Sequence, residues 1–151
     1  ADVSGRRIER FATSMTGELF EVLRTHSVLR LSLGGELDGP GRGEGFSAGL
    51  EAGIAAPQRL PSLLFKVRAG SLLSGRAPDW SAGFLSGLLV GAEIGGQRDW
   101  IDAGTGEVPL IGSPGLCALY AQGLKLIGVA SRIVDATDAT LAGLKLAREL
   151  A

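Results

Sequence analysis

The chain has 151 residues, 45% hydrophobic and 21% charged, which suits one globular domain with a single core and excludes a disordered chain. Its formal net charge of −1 gives no general pull towards nucleic acid or an anionic membrane. A single cysteine, Cys117, excludes an internal disulfide or cysteine-cluster metal site; with a polar, charged N-terminus lacking a secretory pattern, it points to a reducing, cytoplasmic setting.

Residues 1–14 read as one end of a β-hairpin, with a turn signal at Ser4-Gly5 and an imperfect alternation around Ile8. Met15-Thr16-Gly17-Glu18 opens a helix that carries Leu19, Phe20, Val22 and Leu23 and ends near His26-Ser27, with Thr16 as its start signal. A short apolar stretch, 28–33, precedes a glycine-rich loop over 34–45. Two helices follow: 45–56, with Phe46, Leu50 and Ile54 four apart, and 58–73, opened by Pro61 and broken at 75–78.

Residues 79–100 form the longest expected helix, about 33 Å at the usual rise. Glycine is abundant in this chain, with 24 residues, and here it stands at Gly83, Gly87, Gly91 and Gly95, each four apart. Four interior glycines cost roughly 4 kcal/mol of helix propensity against alanine, so close packing must compensate. Gly45, Gly49 and Gly53 repeat the spacing on the earlier helix, and the two glycine faces are expected to meet. The apolar run 82–94 is interrupted by Glu93 and too short to span a bilayer, so no membrane helix is expected.

After an expected turn over 102–106, the stretch 107–131 reads as strand, tight turn, helix and strand. The apolar runs 108–111 and 126–130 are the two strands, parallel and joined by a right-handed crossover. Ser113 suits an N-cap and Pro114 a first helical residue. Gly112-Ser113-Pro114-Gly115 thus presents backbone N–H groups at the carboxyl end of a strand, where open α/β sheets bind ligands. The motif by itself is unspecific, and an ordinary strand-to-helix turn remains open. Asp135 and Asp138 read as loop and cap residues of an amphipathic helix over 139–150, with Leu141, Leu144, Ala147 and Leu150 on one side.

No catalytic residue stands out. Glu18 lies in a first helical turn, where an acid helps through the dipole. Glu93 within an apolar helix needs a partner; Arg98 is poorly spaced, so a hydrogen-bonded structural acid is expected. His26 is the only histidine, so no Ser-His-Asp arrangement can be argued, and no cluster has metal-ligand spacing. Cys117, beside Leu116 and Leu119, reads as a small buried hydrophobe.

Three strings carry a resemblance: residues 11–18 (FATSMTGE), residues 23–29 with His26-Ser27, and residues 84–100 (FLSGLLVGAEIGGQRDW). In order and spacing the chain resembles the C-terminal half of the 2-dehydro-3-deoxygalactonokinase (2-oxo-3-deoxygalactonate kinase) family. The resemblance implies an α/β, ribonuclease-H-like domain of the sugar kinase/actin/Hsp70 superfamily, here with a helical portion. It implies residues 1–151 as the nucleotide-side domain of a two-domain enzyme. The family's Asp-Trp-Gly-Ser-Thr, Arg-Gly-Glu-Glu-Thr and Pro-Gly-Thr-His-Ser-Lys-Trp segments belong to the missing N-terminal domain, expected before residue 1.

By that resemblance Gly112 and Ser113 correspond to the adenosine motif, with Pro114 and Gly115 completing the turn. Thr16 and Gly17 line the same cleft, and residues 140–147 form the final connecting helix, where Gly143 permits close packing. The implied reaction transfers the ATP γ-phosphate to the 6-hydroxyl of 2-dehydro-3-deoxy-galactonate. Mg²⁺ would be held mainly by ATP phosphates and water and not by this half. The partners expected are the nucleotide, the sugar acid and the other domain, with self-association left open. The alternative is a non-catalytic nucleotide-binding or oligomerisation module of the same fold.

Overall fold

The computed structural model describes residues 2–4, 7–102 and 106–150. In chain order its elements are β1 (Asp2–Ser4), β2 (Arg7–Arg10), α1 (Thr16–His26), a 3₁₀ turn (Val28–Ser32), α2 (Arg42–Ala55), a 3₁₀ turn (Pro57–Arg59), α3 (Leu60–Ser74), α4 (Pro78–Gly96), α5 (Arg98–Asp102), β3 (Val108–Ile111), α6 (Pro114–Leu126), β4 (Ser131–Val134) and α7 (Ala136–Leu150). The fold is mixed α/β, mostly helical, with an antiparallel hairpin of β1 and β2 and a separate parallel pair of β3 and β4. Gly5, in the expected hairpin turn, and residues 103–105, in the expected turn at 102–106, lie outside the described residues.

Helix α4 organises the rest. Leu85, Leu88 and Leu89 on it join Leu29, Leu33, Leu63 and Val67 in one core cluster. Val90 and Ile94 join Phe46, Leu50 and Leu124 in a second. The expected meeting of glycine faces is observed. A Cβ at Gly45, Gly49 or Gly53 would strike α4 backbone near Trp80, Phe84 and Leu88, and one at Gly83, Gly87 or Gly91 would strike α2 backbone near Arg42, Phe46 and Leu50. Successive contacts advance together along both helices, so α2 and α4 run parallel, backbone against backbone. The helix-propensity loss at these glycines is offset by an approach that any side chain would prevent.

Several boundaries differ from expectation for local reasons. The helix expected over 79–100 divides: α4 ends at Gly96, where two adjacent glycines weaken it, and Gln97 N–H donates to both Glu93 O and Ile94 O (each 3.2 Å) before α5 begins. Helix α2 starts three residues before the expected Gly45, and α3 starts at Leu60 after a 3₁₀ turn through Pro57. Helix α1 begins at Thr16, as expected, with Met15 at the N-cap position and no side-chain bond there.

The second strand of the βαβ unit lies later than expected, at 131–134 instead of 126–130. Leu126 finishes α6, and Gly128 takes a left-handed φ of 77°. Val129 N–H then donates to Leu124 O (2.9 Å) and Gly128 N–H to Lys125 O (3.0 Å), a Schellman termination. The apolar run therefore wraps the helix end, and Val129 packs into the second core cluster. Helix α7 begins three residues before Ala139, capped by Asp135, whose Oδ1 accepts from Thr137 N (2.8 Å) and Asp138 N (3.0 Å). Its leucine face is not covered within the described residues: Leu141 is 50% and Leu144 63% exposed. Gly143, expected in close packing, has nothing within 4 Å of a built Cβ.

Candidate functional site

The first candidate region forms at the carboxyl end of β3. That strand pairs in parallel with β4, from Val108↔Ser131 to Ile111↔Val134, and α6 makes the crossover. Ser113 is the N-cap of α6 with φ −63° and ψ 142°; its hydroxyl accepts from Leu116 N (3.4 Å), and its carbonyl accepts from Cys117 N (3.0 Å). Pro114 follows at the first helical position, where its missing N–H removes nothing. Ser113, Pro114 and Gly115 are exposed, and a Cβ at Gly115 would meet nothing within 4 Å. A Cβ at Gly112 would only touch Cys117 Sγ, at 3.6 Å. Cys117 itself is buried, as the sequence suggested. The turn is thus a capped helix start with open space before it, able to offer backbone N–H and carbonyl groups to a polar ligand.

The second region is a cavity of about 460 Å³ between the start of α1, the Pro57 turn, the start of α3 and α4. Met15, Leu19, Pro57, Leu60, Leu89 and Ala92 supply its apolar wall. Ser14, Thr16, Gln58 and Glu93 supply the polar groups. Thr16 Oγ1 donates to Glu93 Oε2 (2.5 Å), and Tyr120 Oη donates to the same oxygen (2.5 Å). Burial pushes the Tyr120 phenol well above its usual range; the hydrogen bond to Glu93 and that group's charge push it further, and Thr16 partly opposes them.

Of the residues singled out from sequence, Gly112, Ser113, Pro114 and Gly115 stand together at the turn. Thr16 stands in the cavity, while Gly17 is exposed in the first turn of α1 and is not part of the cavity wall. Helix α6 begins at the turn and carries Tyr120, which donates to Glu93 of the cavity wall. Glu93 is hydrogen-bonded, as its place in an apolar helix required, but to two hydroxyls. His26 ends α1 in an exposed position, and Glu18 lies exposed in its first turn. Among the described residues no group of three His, Cys, Asp or Glu side chains could hold a metal ion, and no helix is long and apolar enough to cross a membrane.

Sequence reasoning missed two residues. Tyr120, the sole tyrosine, sits four positions after Leu116 and reads simply as part of an apolar helix face. Asp79 reads as a helix-start acid. It is buried instead, accepting from Gly41 N at Oδ2 and from Trp80 N at Oδ1 (each 2.7 Å), and so ties the glycine-rich loop to α4.

Residues 1–147 match the family model for 2-keto-3-deoxy-galactonokinase. The chain belongs to that family. It is 40% identical to a candidate 2-dehydro-3-deoxygalactonokinase of Rhizobium meliloti (strain 1021) and 35% identical to the 2-dehydro-3-deoxygalactonokinase of Escherichia coli (strain K12), over 93% of its own length in each case and 46% of theirs. A crystal structure of a candidate 2-dehydro-3-deoxygalactonokinase from Sinorhizobium meliloti superposes with a TM-score of 0.85 at 36% identity, covering 98% of this chain and 47% of that one. The chain therefore spans about half the length of the galactonokinase relatives it matches.

Proposed function

We propose that this chain is the nucleotide-side, C-terminal domain of a kinase that transfers the γ-phosphate of ATP to the 6-hydroxyl of 2-dehydro-3-deoxy-galactonate. The family match over residues 1–147 carries this reading. The domain is of the ribonuclease-H-like kind found in the sugar kinase/actin/Hsp70 superfamily, and the acceptor-side residues lie in sequence outside 1–151. Coverage of about half of each relative supports that division. The adenine–ribose end of ATP sits at Gly112-Ser113-Pro114-Gly115, where the capped helix start and the open space before Gly115 fit a ligand with polar edges. Thr16 and Gly17 border the cleft from the α1 side.

Phosphoryl transfer needs the γ-phosphate held, its charge neutralised and the attacking hydroxyl aligned. The described residues of this chain contribute positioning of the nucleoside alone. Mg²⁺ would supply charge neutralisation, held mainly by the ATP phosphates and water. One wall of a cleft buries only part of a ligand, so ADP affinity for the chain lies in the high micromolar to millimolar range.

Calorimetric titration of the 151-residue chain with ADP tests this, alongside Gly115→Leu. That substitution fills the space before the helix without meeting protein atoms at its Cβ. Binding abolished in the variant, with unchanged melting temperature, is expected. Binding that survives Gly115→Leu, or no ADP binding by the wild-type chain at about 10 mM, overturns the assignment of the turn and favours a module without nucleotide function. A coupled ADP-release assay of the chain with ATP, Mg²⁺ and the sugar acid is expected to show no turnover.

A further inference from the structure

We propose that Glu93, steadied by Tyr120, is a positioning residue of the nucleotide cleft. It takes the hydroxyl proton of Thr16, so that Thr16 meets the nucleotide as a hydrogen-bond acceptor and selects for a ribose that keeps its hydroxyls. The inference rests on the reading of this chain as the nucleotide-side domain, and it names the part of the nucleotide that the α1 side reads.

An ionised carboxylate only accepts, so the two bonds at Oε2 of Glu93 have a fixed polarity: Thr16 and Tyr120 both donate, each at 2.5 Å. The three groups come from three helices, α1, α4 and α6. Thr16 is the first residue of α1, and a hydroxyl at a helix start ordinarily serves the helix itself. Here the N-cap position makes no side-chain bond, and the Thr16 hydroxyl turns instead to Glu93, 77 positions away. Glu93 is half-buried on an apolar helix, and the two O–H groups replace water at its oxygen. A charged acceptor makes each of these bonds stronger than one between neutral groups. Both hydroxyl rotors are thereby set.

A hydroxyl has one proton and two lone pairs. With its proton committed to Glu93, Thr16 offers only lone pairs to a ligand in the cavity that it lines. Phosphate oxygens would meet an acceptor beside a like charge, so the phosphates are directed away from this wall. The donors that ADP carries are the adenine amino group and the 2′- and 3′-hydroxyls of ribose. With adenine at the Gly112–Gly115 turn, the ribose hydroxyls are the donors left for Thr16. Tyr120 stands six residues beyond Pro114 on α6, about 9 Å at the usual rise, a separation that one nucleotide can bridge. A site that accepts from a ligand hydroxyl discriminates against the analogue without it, because its own polar group is then left without a partner.

The test is the ratio of affinities for ADP and 2′,3′-dideoxy-ADP, each titrated calorimetrically into the 151-residue chain. The wild type is expected to bind ADP about fivefold more tightly than the dideoxy analogue. Thr16→Val keeps the shape and removes the hydroxyl; Glu93→Met keeps the length and removes the acceptor. Both are expected to bring the ratio to about one. Glu93→Gln, whose carbonyl oxygen still accepts, is expected to keep the preference. A purely structural loss would weaken both nucleotides alike and leave the ratio unchanged. Should Glu93→Met not fold, Glu93→Ala takes its place, since water can fill the open cleft. No ADP binding by the wild type at about 10 mM overturns the nucleotide reading and this inference with it. ADP binding without a ribose preference, a preference that survives Thr16→Val or the loss of the Glu93 acceptor, or one that is lost in Glu93→Gln overturns the positioning role alone.

Discussion

Gly87 lies so close to Phe46 that a Cβ on the glycine would overlap the carbonyl oxygen of Phe46 in the neighbouring helix. That overlap is with backbone, which cannot swing aside as a side-chain tip can. Alanine ordinarily improves a helix by about 1 kcal/mol over glycine. At Gly87 it is expected to destabilise by about 1–3 kcal/mol through overpacking, with leucine worse. Urea denaturation of Gly87→Ala and Gly91→Ala checks this, and stabilisation at both positions would contradict the close approach of α2 and α4.

Gly115 and Gly128 make an opposed pair. Both leave room for a Cβ, yet Gly128 has φ 77° and Gly115 does not have a left-handed φ. Gly128→Ala is expected to cost about 1–2 kcal/mol from left-handed strain alone. Gly115→Ala is expected to be neutral or slightly stabilising. Paired thermal melts would show the difference.

Asp79 is 7% exposed and binds two backbone amides. Asp79→Ala leaves those donors without their acceptor, at a cost of about 1–3 kcal/mol. The loss should fall on the loop before α2 as well as on global stability. Hydrogen exchange at Gly41 is the sensitive measurement: faster exchange is expected in the variant, while protection at Gly41 equal to wild type would exclude the tether.

Tyr120 gives a pH signature. Its phenol holds its proton more tightly in the folded chain than in the unfolded one, where it ionises at the ordinary value of about 10. Above that value the unfolded state releases a proton that the native state retains, so stability falls as pH rises from about 10 towards the raised native value. The contribution is fully present below pH 10. Glu93→Gln removes the hydrogen-bonded charge but leaves the burial, so Tyr120 is expected to titrate lower and the fall to be shallower. Ultraviolet titration of the single tyrosine measures this directly.

Local chemistry made much of this molecule legible in its sequence. Ser113 and Pro114 identify the start of α6 because capping acts within one turn. Glycines every fourth residue on two helices identify their contact, because 3.6 residues per turn places them on one face. The need of Glu93 for a partner followed from its apolar neighbours. The tertiary structure alone decided which partners those were: Thr16 lies 77 positions away and Tyr120 lies 27, and no local pattern joins them. It also decided that the run after Lys125 would turn back over its own helix, with Gly128 in a left-handed conformation and Val129 packed against the core cluster that holds Leu124. Asp79 shows the same limit, since its buried role depends on where the glycine-rich loop returns. Hydrogen bonds and burial between distant segments are set by the path of the whole backbone, whereas caps, turns and helix faces are set within a few residues.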